Sequence, residues 1–512
     1  MSETPQATVG KVDSVPDSSR WKALVFIALA QLMVVLDATV VNIALPSAQQ
    51  DLGMSDGNRQ WVITAYALAF GGLLLFGGRV ADLWGRKRAF LTGLFGFAAA
   101  SALGGAAVNE AMMFAARALQ GVFGALLAPA ALSLLAVMFT DAKERAKAFG
   151  IYGAIAGGGG AVGLIVGGFL TEYLNWRWTL YVNIPFAVVA AAGAYFVVRE
   201  PESGRNRSPL DIPGVILSIL GLVTLVYGFT RAESDSWGDS VTIILFIASA
   251  VLLAAFVVTE SKVKSPLLPL RVVTERNRGG AYLSLALAVI AMFGLFLFLT
   301  YYLQIVKGYS PLKTGFAFMP MAVGMMVGST QIGTRLMTRI APRLLIGPGF
   351  LVAAVGLLLL TQLEIGSSFV TLVAPAQLLL GLGLGTAFMP AMSLSTFGVE
   401  PRDAGVASAM VNTSQQVGGA IGTALLNSIA ASATAVYIKD HVAATAKPAQ
   451  RILQLEGMVH GYTRAIWFAV GILMLSTAIA FVFINTGRPE TSSNPASDEG
   501  DEDDVVVPMI GH

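Results

Sequence analysis

Two charged side chains lie inside otherwise apolar runs of this 512-residue sequence, the carboxylate of Asp37 and the guanidinium of Arg117. A carboxylate at the centre of a membrane-spanning helix costs about 2.5–3.5 kcal/mol on insertion scales, so such acids usually face an interior cavity. The chemistry open to this pair is reversible proton binding, because a dry environment favours the neutral acid whereas a nearby guanidinium favours the carboxylate. A helix movement that changes their separation would change the proton affinity of Asp37. The alternative is a permanent buried ion pair.

Helix geometry predicts that the two residues lie at similar depths. If the first helix enters the bilayer near residue 22, a rise of about 1.5 Å per residue places Asp37 roughly 22 Å deep. The fourth helix enters from the opposite side near residue 111, which places Arg117 roughly 9 Å below that surface. In a hydrocarbon core of about 30 Å these depths nearly coincide. Asp37 and Arg117 are therefore predicted to lie at nearly the same depth in the bilayer.

The elements that must position this pair are membrane-spanning helices. Hydrophobic residues make up 55% of the chain, charged residues 12%, and the mean hydropathy is +0.70, which is typical of a membrane protein. Because Lys and Arg concentrate on the side of the termini, both termini are predicted to be cytoplasmic, without a cleavable signal peptide. The sequence predicts fourteen spans, at 23–45, 60–78, 89–108, 111–138, 148–170, 178–198, 212–229, 241–259, 280–304, 314–334, 344–363, 369–393, 404–432 and 465–485.

Several other kinds of chemistry have no sequence signal. The chain has no cysteine, and its three histidines, at 441, 460 and 512, all fall outside the predicted spans. It has neither a metal-ligand cluster nor a phosphate-binding loop, so an ion gradient rather than ATP must power any transport. A net charge of +2 gives no reason to expect nucleic acid. We expect no cofactor, no metal and no enzymatic activity.

Three local matches, about 260 residues apart, relate the two ends of the chain. Each pair lies eight predicted helices apart in the same membrane orientation, which predicts two parallel six-helix bundles with two inserted helices between them. The paired segments are 77–79 with 333–335, 124–130 with 385–391, and 159–163 with 418–422. The predicted domains are a disordered N-terminus at 1–20, an N-terminal bundle at 21–200, the inserted pair at 201–265, a C-terminal bundle at 266–486 and a disordered acidic tail at 487–512.

Five motifs carry a family resemblance: LDATVVNIALP at 36–46, GRVADLWGRKR at 78–88, RALQG at 117–121, WRW at 176–178 and NIP at 183–185. With them the whole chain resembles the fourteen-helix drug:proton antiporters of the major facilitator superfamily. The resemblance implies an all-α fold of two six-helix bundles plus two inserted helices, with helices one and four lining a central cavity. Asp37 and Arg117 would then share one polar environment in that cavity. It also implies proton-coupled efflux of amphipathic small molecules across the bacterial cytoplasmic membrane, by a protein that acts as a monomer.

The resemblance implies a conformational role for the loop after the second helix. Its candidate gating residues are Gly78, Arg79, Asp82, Gly85, Arg86 and Asp141. Asp82 is predicted to face the positive N-terminus of the thirteenth segment near residue 404, and Asp141 to engage Arg86. The alternative is that these charges only set the topology.

The fifth segment has the glycine spacing of superfamily antiporters, except that Leu164 stands where the family usually has proline. Glycines permit both bending and close helix approach, so the segment is either a compliant hinge or a plain packing surface. The glycines concerned are Gly150, Gly159, Gly163, Gly167 and Gly168.

Substrate contacts are predicted among polar, aromatic and methionine residues of the spans, because aromatic faces attract cations and methionine adapts its shape. The candidates are Asn42, Gln120, Phe293, Phe296, Tyr301, Tyr302, Met319, Asn412 and Gln416. Asn412 and Gln416 are equally compatible with hydrogen bonds between helices. Competing functions are export of a lipid, siderophore or specific metabolite, a nutrient permease, and a membrane enzyme or receptor; the fifth-segment glycines argue against uptake.

Overall fold

The computed structural model describes residues 17–139, 142–198, 211–264, 266–337, 339–396, 399, 404–442 and 450–485, although a few side chains inside these ranges, including that of Asp82, are not described. The described chain is helical and has no strand. Each of the fourteen predicted apolar runs coincides with a long helix. These helices are α1 Asp17–Leu52, α2 Trp61–Trp84, α3 Arg86–Gly105, α4 Glu110–Met138, α5 Ala142–Tyr173, α6 Trp178–Val197, α7 Ile212–Ser234, α8 Ser240–Lys262, α9 Arg276–Val306, α10 Pro311–Met337, α11 Arg343–Leu360, α12 Phe369–Ser395, α13 Ala404–Val442 and α14 Gln450–Phe483.

Twelve helices of the described chain are long and apolar enough to cross a membrane. The other two are α3 and α5, with 20 and 32 residues. Helix α3 begins with Arg-Lys-Arg and is rich in glycine and alanine, and α5 is rich in glycine, which lowers their hydropathy. The all-helical membrane fold is confirmed, and the count of fourteen crossings stays a prediction.

The helices α13 and α14 extend beyond the apolar runs that predicted them. The sequence placed a loop at 433–464, but α13 continues to Val442 and α14 begins at Gln450. In this extension the Tyr437 and His460 rings stack with centroids 4.8 Å apart. The prediction of a loop was wrong because hydropathy detects only the part of a helix that lies in hydrocarbon, whereas pairing between two helices continues past it.

Helices α1 to α6 pack mainly on one another, as do α9 to α14. One buried core lies entirely within residues 23–198, and a second is built mostly from residues 281–484. The two groups meet where α2 crosses α13 and where α5 contacts α10. This packing supports the predicted division into two bundles, and the domain boundaries stay predictions.

The hairpin of α7 and α8 lies outside both groups and contacts them through α7. Near the end of α7, Gln60 Nε2 donates to Thr230 Oγ1 at 3.1 Å, and Ser428 Oγ donates to the Phe229 carbonyl at 2.6 Å. Because Gln60 precedes α2 and Ser428 lies on α13, the inserted pair contacts both groups along one seam.

A capping carboxylate sets the start of α9. Glu275 accepts hydrogen bonds from the backbone amides of Asn277 at 3.1 Å and Arg278 at 2.8 Å. Partial burial raises the pKa of Glu275, but these hydrogen bonds stabilise the charged form and lower the pKa below its ordinary value. The negative cap also opposes the positive end of the helix dipole, which favours a helix beginning at this point.

Candidate functional site

Four helices bring Asp37 into a closed polar network. Arg117 Nη1 on α4 donates to Asp37 Oδ2 at 2.7 Å, and Asp37 Oδ1 accepts from Gln120 Nε2 at 3.0 Å and from Asn183 Nδ2 at 2.8 Å. Gln120 also accepts from Arg117 Nη1 at 2.8 Å and donates to Ser101 Oγ at 2.8 Å. The network therefore joins α1, α3, α4 and α6, all of which belong to the N-terminal group.

Helix α4 presents the Arg117 guanidinium and the Gln120 amide on the same side. Arg117 and Gln120 are three residues apart and thus share one face of the helix. Close approach of α4 to α2 occurs at Gly121, where an added Cβ would lie 2.9 Å from the Phe70 backbone nitrogen. The same approach lets Arg117 Nε donate to the Val62 carbonyl at 2.8 Å. Its guanidinium carbon also lies 4.5 Å from the Tyr66 ring centroid.

The network is buried and pairs one carboxylate with one guanidinium. Asp37 is 0% exposed and Arg117 1% exposed. The carboxylate accepts three hydrogen bonds, one from a guanidinium and two from amides, and hydrogen bonds to charged groups are stronger than those between neutral groups. Because Asp37 has no exposed surface, water can reach it only after the surrounding side chains move.

The structure brings the predicted pair Asp37 and Arg117 into contact, and their role in proton coupling stays a prediction. Gln120, predicted as a substrate contact, is fully buried in the same network. Asn183 and Ser101 also belong to the network and were not predicted from the sequence. Asn183 was visible only as part of the NIP motif, and Ser101 as one hydroxyl in an apolar run.

Asn42 lies on α1 outside this network. Its Nδ2 donates to the Ala38 carbonyl at 2.9 Å, and its Oδ1 accepts no hydrogen bond from the described residues although the residue is only 6% exposed. An acceptor that is buried without a donor is costly. Asn42 therefore stays a candidate for binding a substrate that carries a donor group.

The predicted aromatic contacts have separate surroundings. Phe296 stacks on Phe318 with centroids 5.2 Å apart, whereas the Phe293 ring packs against Gly419. Tyr302 Oη donates to the Glu364 carbonyl at 2.7 Å. The face of the Tyr301 ring is covered by a guanidinium, as described below. In this state Tyr301 is thus not open to a substrate, and substrate roles for the others stay predictions.

The remaining substrate candidates are Met319, Asn412 and Gln416. Met319 lies within α10, and Asn412 and Gln416 lie on α13. Gln416 lies at the crossing of α2 and α13, where a Cβ added to Gly71 would be 2.7 Å from its own Cβ. This position favours a contact between the two groups for Gln416, and the substrate roles stay predictions.

The loop between α2 and α3 is a tight turn at Gly85, whose φ of 110° favours glycine. Arg79 Nη2 donates to the Pro266 carbonyl at 3.4 Å, and Gly78 faces Pro129 of α4. The side chain of Asp82 and the whole of Asp141 lie outside the described residues. The predicted contacts of Asp82 with α13 and of Asp141 with Arg86 therefore stay predictions.

The predicted hinge glycines let α5 approach its neighbours closely. A Cβ added to Gly167 would lie 2.8 Å from the Val40 carbonyl oxygen of α1, and one added to Gly168 would lie 2.7 Å from the Leu312 Cα of α10. Gly159 and Gly163 face α1 in the same way, and Gly150 lies in the first half of α5. The described α5 is one uninterrupted helix through Leu164, so this state favours packing over a bend.

We predict that Gly167→Ala lowers stability by about 1–3 kcal/mol, because the added methyl meets the backbone of α1, which cannot rotate away. Gly160→Ala is the matched control on the same helix, since its methyl would meet only the Thr39 Cγ2 at 3.7 Å. The control should be neutral or slightly stabilising because alanine favours helix. Thermal unfolding in detergent compares the two variants, and equal melting temperatures would contradict the packing role.

Comparison with known proteins places the chain in a family. A model described as Major Facilitator Superfamily matches residues 27–423. The chain belongs to the major facilitator superfamily. It is therefore a membrane transporter and not an enzyme, as the motifs predicted.

Relatives cover nearly the whole chain, and a solved structure shares its fold. A puromycin resistance protein of Streptomyces alboniger is 52% identical over 503 residues, covering 97% of this chain and 98% of that protein. A cephamycin export protein of Amycolatopsis lactamdurans is 38% identical over 421 residues, covering 81% and 86%. A crystal structure of a bacterial homologue of the human lysosomal transporter Spinster, inward-facing and occupied, aligns with a TM-score of 0.67 at 16% identity, covering 91% of this chain and 97% of that chain.

Proposed function

We propose that this transporter exports antibiotics or other amphipathic small molecules from a bacterial cell in exchange for protons. The observation that carries export is the 52% identity to a puromycin resistance protein across nearly the full length of both chains. A second relative is named for the export of cephamycin. Similarity over the whole length includes both bundles and the inserted pair, so it extends to the parts that must form the substrate path.

The buried network of Asp37 supports proton coupling. A carboxylate with no exposed surface, held by three donors, can exchange a proton with water only after a change of structure that opens the network. Proton binding and conformation are thus linked at this residue, which is the requirement for an antiporter.

The geometry refines how the linkage works. Asp37 and Arg117 both belong to the N-terminal group, so rocking of one bundle against the other does not by itself separate them. The link to the other bundle runs along α1, where the Ile43 carbonyl accepts from Gln304 Nε2 of α9 at 2.8 Å. We propose that a movement of α1 relative to α9 admits water to the network, and that hydration replaces a donor and permits protonation.

The same proposal sets the orientation of the protein. With both termini in the cytoplasm, the residue 53–60 loop between α1 and α2 faces the outside. The protein acts as a monomer in the cytoplasmic membrane, because one chain holds both bundles and the network that binds the proton.

Transport by the purified protein tests the proposed function. In liposomes with an imposed pH gradient, we expect puromycin flux that stops when an ionophore collapses the gradient. Simultaneous recording of internal pH should show protons moving opposite to the drug. A gradient-independent flux would contradict proton coupling. No flux of puromycin or of any compound in a panel of amphipathic antibiotics would contradict drug export.

A further inference from the structure

An arginine outside the proton network is buried between the two bundles. Arg59 lies in the residue 53–60 loop, yet it is only 4% exposed. Its guanidinium carbon lies 3.9 Å from the centroid of the Tyr301 ring on α9, a contact across the two groups. We call the end of the molecule that carries this loop the loop end.

The hydrogen bonds of Arg59 also cross between the groups. Its Nη2 donates to Asn427 Oδ1 on α13 at 3.4 Å, and Asn427 Nδ2 donates back to the Asp56 carbonyl at 3.1 Å. Within the loop, Arg59 Nη1 contacts Asp56 Oδ1 at 3.0 Å. Tyr301 Oη donates to Gln49 Oε1 of α1 at 2.5 Å. Each of the two C-terminal side chains thus contacts the N-terminal group twice.

We propose that Arg59 is a latch: it holds the loop end closed through its contacts with Tyr301 and Asn427 on the other bundle. The inference rests on the proposed alternating-access transport. A guanidinium suits this task because it stacks flat on an aromatic ring and still donates at its edges. When the loop end opens, water hydrates the released cation and compensates for the lost contacts. Hydration of the cation therefore lowers the free-energy cost of opening the loop end.

The latch changes the assignment of Tyr301. This ring was predicted to contact the substrate, but its face is occupied by the protein's own cation whenever the loop end is closed. A ring that binds a guanidinium here becomes exposed only after Arg59 leaves. Tyr301 is then a gating residue whose availability reports the state of the loop end.

The absence of cysteine from the chain makes a distance measurement direct, because two introduced cysteines are the only labelling sites. Val108 on the N-terminal group is 76% exposed, and an added Cβ at Gly366 on the C-terminal group meets nothing within 4 Å. Spin labels at V108C and G366C in nanodiscs report the opening of the loop end. We expect Arg59→Gln to raise the ratio of long to short distances about tenfold.

Two further variants and a matched control complete the test. Asn427→Leu removes the hydrogen-bond acceptor of Arg59 on α13 and should shift the distances in the same direction. Arg59→Lys should give an intermediate shift, because an ammonium is not planar and cannot stack on the Tyr301 ring as a guanidinium does. Arg177→Gln is the control, since Arg177 pairs with Asp51 at 2.9 Å and packs on Trp176 within the N-terminal group alone. It should leave the distance ratio within about twofold of the parent.

The outcomes separate the latch from the proposed function. Distance distributions of Arg59→Gln and Asn427→Leu that match Arg177→Gln would overturn the latch, whatever the transport result. The measurement uses purified protein without substrate or gradient, so a failure of the parent protein to transport would reject the proposed function alone. Larger separation in both variants supports the latch.

Discussion

Replacing Asp37 with asparagine is expected to reduce pH-gradient-driven drug flux to the level of protein-free liposomes. The side chain keeps its size but can no longer bind and release a proton. Its amide oxygen can still accept from Gln120 Nε2 and Asn183 Nδ2, but its NH2 group then meets the Arg117 Nη1 donor. Arg117 would remain buried without its counter-ion, which adds a fixed positive charge to the network.

Exchange of labelled for unlabelled drug without a gradient distinguishes loss of coupling from loss of folding. We expect Asp37→Asn to retain such exchange, because the substrate path is not removed. The matched control is Asp51→Asn, since Asp51 is on the same helix and pairs with an arginine, but its side chain is 50% exposed at the helix end. Gradient-driven flux should survive in the control. Parent-level flux in Asp37→Asn would exclude this residue from proton coupling.

The helices and the matching depths of Asp37 and Arg117 were predictable because their signals are local. An apolar run of about 20 residues is dictated by the bilayer, whatever the rest of the chain does. The matching depths of Asp37 and Arg117 followed from the rise per residue and the opposite helix directions. Their shared environment was expected from the family resemblance, which places helices one and four at one cavity. A charged residue in an apolar run is also rare enough to attract attention by itself.

The missed residues depend on packing that no local signal reports. Ser101 and Asn183 are neutral polar residues, which occur in spans for several reasons. Only the packing of α3 against α6 brings both into the network of Asp37. Arg59 looked like an ordinary loop charge. Its burial arises only when residues of α9 and α13, more than 200 positions away, close over it. The guanidinium that covers the Tyr301 ring was unpredictable for the same reason, since a sequence cannot say what covers an aromatic ring.

Replacing Arg117 with glutamine is expected to destabilise the protein by about 3–5 kcal/mol, because it leaves the buried carboxylate of Asp37 uncompensated. Adding Asp37→Asn to this variant removes the remaining charge, so the double variant should be more stable than Arg117→Gln alone. The two effects would then be far from additive, as expected for residues in direct contact. Equilibrium unfolding in one detergent gives the free energies of all three variants.

A surface pair gives the scale for this comparison. Arg231 lies on α7, and Asp235 directly follows that helix. Arg231 Nη2 and Asp235 Oδ2 lie 2.6 Å apart, and the two side chains are 35% and 41% exposed. Their single and double variants should change stability by less than about 1 kcal/mol, because water screens the pair. If the Asp37 and Arg117 effects were equally small and additive, water would have to reach the network in the folded protein. The proton would then have access without any movement of α1, and the requirement for a conformational change would disappear.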